Sequence, residues 1–418
     1  MFADDFSAPP LDKEDATIHI FFLSFICKDT FFHDQRYQMK ILLIGEYSRL
    51  HNSLKEGLLA LGHEVTLMGF KDHFKQFPVD IDLESKVFNH SKIFPAVKAL
   101  NRLTGINLVE LENAYRYRKI SAQLKDFDVV QLINENSFKT YGFFQRKFIK
   151  SLKKYNDKLF LLACGIDYVS VKYAHDKKLE YSILTPLHQN PKLASQYKFI
   201  LNKLNKKNQE FYRFILKNLN GIISSDLDYH LPYKGTEKYL GMISNPINSD
   251  KIEYSAPNIT GKVKIFHGIN SGSFTRKGNV FFEEVLEMLK QKYPNKVEVT
   301  ETVDLSYKDY IKAYNDCHIL LDQVYAYDQG YNALEAMSMG KVVFTGAEAE
   351  FLEYYKLTAD SVCINAEPDV QKIFEKLEGL INNPELVLEI SKNARKFIEE
   401  HHNYKSVARN YLETWNKN

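Results

Sequence analysis

The residues best suited to chemistry fall in two groups in the second half of the chain. One is the stretch 320–346, LLDQVYAYDQGYNALEAMSMGKVVFTG, where an apolar strand gives way to a polar loop around Gly330, a helix opens near Asn332, and a second apolar strand ends at Thr345-Gly346. The first turn of such a helix has amides without intrahelical partners, and they face the loop at the positive end of the helix dipole. Gly330, Tyr331 and Asn332 are therefore placed to hold an anion. The other group is the loop 268–278, GINSGSFTRKG, which ends in Arg276-Lys277 just ahead of a helix expected over 280–290. Flexible amides with two cations at a helix start suit a diphosphate; a surface loop with an incidental basic pair has the same composition. A third candidate, Asp167, follows the apolar run KLFLLA and reads either as a loop cap or as a substrate contact or base.

For these groups to meet, strands and helices must alternate. The run KILLIG (40–45) is apolar throughout and bounded by Gly, which marks a central parallel strand. Leu54, Leu58, Leu59 and Leu61 then share a helix that Gly62 closes, and 64–68 returns as a strand. This βαβ opening predicts an α/β chain with doubly wound sheets. Further strands are expected at 128–133, 158–163 and 221–225, with a basic helix over 141–155 and a long helix over 195–219. The turn-rich Ser244-Asn245-Pro246-Ile247-Asn248 ends the first series, and KVKIFH (262–267) starts a second, with a boundary near 248–260. Strands are expected at 297–300 and 319–321, a helix at 307–315, and a helical tail from 368. A ligand belongs beyond the carboxyl ends of such strands, which brings Glu46, Tyr47 and His51 of the first loop toward the same cleft as Asp167. His51 reads as a structural or a catalytic histidine.

At 418 residues the chain calls for two domains. Hydrophobic content of 44% with 26% charged residues is that of a globular enzyme, and the formal net charge is only +2. Between 139 and 217 basic residues far outnumber acidic ones, Arg146, Lys147, Lys150, Lys153 and Lys154 among them. That excess reads as solvated helix faces or as a peripheral contact with an anionic membrane; nucleic acid fits poorly. The four cysteines are scattered, with no metal-ligand spacing, which suits reduced thiols in the cytoplasm. The first loop lacks GxGxxG, and GxxxxGK[ST] occurs nowhere, which argues against dinucleotide-binding oxidoreductases and P-loop enzymes. Residues 1–38 start acidic, and their apolar run, 18–27, is far shorter than the ~20 residues of a membrane span. Met39 is the expected natural start, with 1–38 a leader outside the core.

From about Met39 onward the sequence resembles the retaining GT-B glycosyltransferases grouped as family four. Lys277-Gly278 resembles the family's Lys-Gly at the first helix of the donor domain. Asp322-Gln323, Gly330, the run Ala333-Leu334-Glu335-Ala336-Met337 and Gly340-Lys341 are similar to its Glu-Ala-Met helix and Gly-Lys turn. Gly165-Ile166-Asp167 resembles its acceptor-side Gly-x-Asp, and Asn245-Pro246-Ile247-Asn248 its interdomain segment. The resemblance implies two Rossmann-like domains facing a central cleft: 39–248 for the acceptor and 249–418 for a nucleotide-sugar donor, with the end of the chain packing back on the first. It implies transfer of a sugar to a glycan or lipid-linked acceptor, with no cofactor and no metal. Asp167, Lys277 and Glu335 are then the expected catalytic set, Glu335 on the donor ribose, Lys277 on the diphosphate, and Asp167 orienting the acceptor. Arg276, Gln323, Tyr327, Gly330, Tyr331 and Asn332 complete the donor side, and Glu46, Tyr47 and His51 the acceptor side.

Two positions depart from the pattern. Tyr327 stands where the family has the first of two glutamates eight residues apart, and Gly272 where it has an arginine before the lysine. Sugar recognition would then fall to Tyr327, Asp328 or Gln323, and Arg276 would supply the missing charge. The Tyr327 departure also keeps two other readings open, a non-catalytic nucleotide-sugar-binding subunit and a sugar-nucleotide epimerase on the same fold.

Overall fold

Strand β1 (Lys40–Ile44) is buried along nearly its whole length, as its unbroken apolar run requires. In the computed structural model, which describes residues 38–71 and 77–418, it sits at the middle of a seven-stranded sheet. All but Gln38 of the expected leader lies outside the described residues. The sheet adds β2 (Glu64–Gly69), β3 (Ile81–Asp82), β4 (Val129–Leu132), β5 (Lys158–Ala163), β6 (Gly221–Ser224) and β7 (Tyr239–Met242) in the order β3-β2-β1-β4-β5-β6-β7. Its pairings are parallel.

The second sheet holds β8 (Val263–Ile269), β9 (Val297–Val303), β10 (Ile319–Leu321), β11 (Val342–Thr345) and β12 (Ile364–Asn365), also parallel, in the order β12-β11-β10-β8-β9. Both sheets lie in the compact unit Met39–Asn418, and the doubly wound α/β fold expected from the sequence holds.

Two expected elements differ. The long helix over 195–219 is two helices, Ala194–Leu201 and Lys206–Asn218, because Asn205 caps the second by accepting from the Asn208 amide at 2.8 Å. The loop 268–278 is more ordered than its Gly and Ser content suggests. Gly268 and Ile269 continue β8, and Phe274–Lys277 forms one helical turn. That turn ends at Gly278, whose φ of 71° favours glycine and whose added Cβ would lie 2.8 Å from Val324 Cβ.

Segment 243–262 joins the two sheets. Ile247 N–H donates to His402 O at 2.7 Å, and Tyr404 N–H donates to Ile247 O at 3.2 Å. The helix Tyr404–Lys417 crosses to the first sheet's side and lies against helix Leu50–Ala60 so closely that a Cβ on Gly57 would meet Tyr404 O at 2.3 Å. Trp415, fully buried, donates from Nε1 to Gln131 Oε1 at 3.3 Å.

Candidate active site

A cleft of about 420 Å³ opens where the carboxyl ends of β8, β9 and β10 meet the start of helix Tyr331–Ser338. Strand order reverses between β10 and β8, the position at which open α/β sheets bind ligands. Gly268, Asn270, Lys277, Asp322, Gln323, Gly330, Asn332 and Glu335 line it, and Ser48 and Phe77 of the first domain close the far side.

Asp322 is the first side chain past β10, and it organises the polar floor. Its Oδ1 accepts from Lys277 Nζ at 2.9 Å and from Asn332 Nδ2 at 3.1 Å. The carboxylate is almost sealed from solvent, while the lysine is about one-third exposed. A buried charge needs such a partner. Lys277 reaches it because the helical turn Phe274–Lys277 ends there and because its carbonyl accepts from Val324 N–H at 2.8 Å. Beside this pair, no side chain caps the Tyr331–Ser338 helix at Gly330, so its first amides present a positive end to the cleft. Glu335, one turn in, faces Arg49 of the first domain at 3.9 Å. Arg49 is not singled out by the sequence, and Asp322 enters there only as part of the family-like run, with no site role assigned. The signals for Asp322 are its position directly after an apolar strand and its place in the family-like run.

The other expected donor residues divide. Gln323 and Gly330 line the cleft, and Tyr331 contributes to its wall. The Tyr331 hydroxyl points away from the cleft, donating to Pro246 O at 2.7 Å and meeting Ser53 Oγ at 2.5 Å, so it staples the two domains. Arg276 is turned aside. Its guanidinium donates to Gly272 O at 2.8 Å and lies over Phe199 at 5.1 Å, so it does not replace the family arginine inside the cleft. Tyr327 is buried, its ring beside Tyr181 and its hydroxyl accepting from Glu180 N–H at 2.9 Å. The position that departs from the family pattern thus joins the domains and is absent from the cleft lining.

On the acceptor side, the expected residues do mostly structural work. His51 is fully buried, with Nδ1 2.7 Å from Gly45 O and Nε2 3.3 Å from Gln131 Nε2. Burial drives its pKa down to about 3, so the ring is neutral. Asp167 caps helix Tyr168–His175, accepting from Ser170 N and Oγ at 2.7 Å each, and its Oδ2 accepts from Tyr233 OH at 3.0 Å. With both oxygens engaged and 1% exposure, it is the loop cap and not a base facing an acceptor. Burial raises its pKa, and burial with the neighbouring Asp167 charge lifts Glu135 to about 8. Glu46 Oε2 accepts from the Asn52 amide at 2.9 Å and from its side chain at 2.7 Å, which fixes the start of helix Leu50–Ala60. Tyr47 lies against Gly165, where a Cβ would sit 3.5 Å from its ring.

Among the described residues no group of three His, Cys, Asp or Glu side chains is placed to hold a metal ion. Asp-x-Asp, a spacing that can hold a metal, occurs at 80–82, 126–128 and 226–228, and there Asp80 pairs with Lys55 at 2.5 Å and Asp228 accepts from Tyr327 N–H at 3.1 Å.

Residues 268–413 match the family model described as glycosyl transferase-like. No curated protein matches the sequence. Among solved structures, sucrose-phosphate synthase from Thermosynechococcus elongatus superposes with a TM-score of 0.57 at 13% identity, covering 91% of this chain and 99% of that one. HepE from Anabaena, in complex with UDP and glucose, gives 0.55 at 12% identity over 91% and 100%. A glycosyltransferase from Rickettsia africae gives 0.52 at 15% identity over 91% and 98%. With two doubly wound sheets around this cleft and these structural likenesses, the chain has the GT-B fold, and its residues 268–413, which supply most of the cleft lining, match the glycosyl transferase-like family model.

Proposed function

We propose that the protein transfers a sugar from a nucleotide-sugar donor to a glycan or lipid-linked acceptor, with retention of anomeric configuration. In this reading residues 249–418 hold the donor and 39–248 the acceptor. The observation that carries it is the Lys277–Asp322–Asn332 cluster beside the open helix end at Gly330. Cleaving a sugar–phosphate bond leaves charge on the departing diphosphate, and fixed cations and amides stabilise that charge without reorganising. Lys277 and the first amides of helix Tyr331–Ser338 supply both. Glu335, set one turn deeper, accepts from ribose hydroxyls. The reading uses no cofactor or metal, and it needs no protein nucleophile if the leaving phosphate takes the acceptor's proton on the same face.

HepE was crystallised with UDP, which makes UDP the first fragment to test. At a hundredfold excess over Kd, a ligand bound only to the folded state adds about 2.7 kcal/mol, a clear rise in melting temperature. Lys277→Ala and Glu335→Ala should each weaken binding by roughly tenfold or more, the scale of a lost charge-assisted contact. A panel of UDP, GDP and ADP that moves the melting temperature of the wild type by nothing would refute the donor site.

The fixed Tyr327 favours one second reading, binding without transfer, because the position that carries a glutamate in the family now holds the Glu180 amide. Turnover of any donor in the presence of an acceptor panel discards it. A peripheral contact with an anionic membrane belongs to the same proposal. Among the described residues no helix is long and apolar enough to cross one.

A further inference from the structure

Helix Phe94–Thr104 buries a single side chain, Val97. Leu103 is 85% exposed, and Ile93, Phe94, Leu100 and Ile106 are between 38% and 46% exposed. Apolar surface concentrated in this way marks a contact site. Leu100 and Leu103 lie three residues apart on one outward stripe, and Lys98 and Arg102 lie four apart on the next. The stretch 85–109 carries Lys86, Lys92, Lys98 and Arg102 with no acid between Glu84 and Glu110, which bound it. An exposed apolar stripe flanked by cations on its own helix is complementary to an anionic lipid surface.

The basic helix to which the sequence first pointed, Gly142–Tyr155, suits that role less well. Its cations are largely used within the molecule: Arg146 lies over Phe211 and Phe214 at 5.3 and 4.9 Å, Lys150 over Phe214 at 5.9 Å, and Lys153 donates to Asn220 at 2.7 Å. It adjoins the other face at one point, where Tyr141 OH accepts from Asn107 N–H at 2.6 Å.

A second cleft, of about 500 Å³, adjoins the exposed helix at Phe94; Phe70, Asn89 and Asn113 line it too, together with the charged Lys71, Glu84, Glu110 and Lys139. Aromatic faces with carboxamides suit a sugar ring and its hydroxyls. Asn113 is 4% exposed, and its Nδ2 donates to Lys139 O at 2.9 Å. Its Oδ1, equally buried, has no partner among the described residues, which leaves an acceptor for a ligand hydroxyl. Phe94 belongs to both surfaces, so a molecule with its tail in the bilayer would meet the cleft with its head.

We propose that segment 85–109 docks the protein on an anionic lipid surface, and that the cleft adjoining it takes the saccharide head of a lipid-linked acceptor presented there. The acceptor half rests on the transferase reading; the docking half does not. The test is co-sedimentation with vesicles of equal phosphatidylglycerol and phosphatidylcholine. Wild type should pellet at least tenfold more than with phosphatidylcholine alone. Leu100→Glu/Leu103→Glu should lose that binding while keeping its UDP thermal shift, and Lys147→Glu/Lys150→Glu/Lys154→Glu should lose less than threefold. Wild type that stays in the supernatant, or a leucine variant that pellets as well as wild type, overturns the docking. So does a vesicle-free dimer that the leucine variant dissolves, which would make the patch an interface between copies. For the acceptor half, a radiolabelled nucleotide-sugar panel is incubated with a total lipid extract and with the aqueous glycans of the source cells. Label should enter the lipid phase and fall at least tenfold in Asn89→Leu/Asn113→Leu, which should still pellet with vesicles and shift with UDP. Label confined to aqueous glycans, or no transfer to either pool, overturns the acceptor half. Vesicle binding without any nucleotide shift would instead sink the transferase reading and leave the docking standing.

Discussion

Asp322 sets how strongly Lys277 can pull on an anion. With the carboxylate 2.9 Å away the lysine is largely neutralised, and a diphosphate must share it. Asp322→Asn keeps the shape and the hydrogen bonds but removes the charge. It should tighten UDP binding by a few-fold, about 1 kcal/mol, the scale of one partly exposed charge pair. A calorimetric titration reads this directly, and weaker binding than wild type would show that the aspartate's role is positioning. The sequence made several cleft residues legible because each follows a strand or opens a helix close by in the chain: Lys277, Gln323, Gly330, Asn332 and Glu335. It could not show what distant segments do to a side chain. Asp167 meets Tyr233, His51 meets Gln131, and Tyr327 meets Glu180, across 66, 80 and 147 residues respectively. In each case the partner converts a reactive-looking group into a structural one.

Among the elements, the turn Phe274–Lys277 and its stop at Gly278 matter most, because they aim Lys277. Gly278→Ala forces an L residue into a left-handed conformation against Val324. The expected cost is about 1–3 kcal/mol of stability, the range for a strained backbone position, with UDP binding weakened together with it. Urea midpoints and nucleotide titration on one preparation test both parts; a destabilised protein with unchanged affinity would show that Lys277 is aimed by Asp322 alone. Strands that run four or more residues through the buried core were readable from composition, β1, β4, β5 and β11 among them. Strands β3 and β12 have two residues each, and β7 is only half-buried, so none of the three gives a periodic signal. The break at Asn205 was hidden for the opposite reason, since the residues around it favour helix on both sides.

At the scale of the whole molecule, the two domains meet through carboxyl groups. Asp228 accepts from Tyr327 N–H at 3.1 Å, and Asp328 returns the contact by accepting from Leu227 N–H at 3.1 Å. Burial lifts Asp228 to about 7 and Asp328 to about 6, and Asp226 beside them is raised as well. An unfolded aspartate titrates near ~3.9, so these groups keep their protons longer in the folded state. Their contribution is complete below about pH 4 and is lost as pH rises through 6 to 7. Asp228→Asn removes one such titration. Its melting temperature should gain on wild type between pH 5 and pH 8 by on the order of a few degrees, and a gap that stays constant across that range would contradict the assignment. The join also has a more distant member. Trp415 holds Gln131 in the first sheet across 284 residues of chain, and Gln131 in turn meets the neutral His51 that fixes Gly45. A ribosome delivers β1, β4 and helix Leu50–Ala60 long before it delivers the helix that covers them. Until then the first domain lacks the cover that Trp415 and its neighbours give it, and transiently uncovered apolar surface of this kind is what makes a nascent chain prone to association.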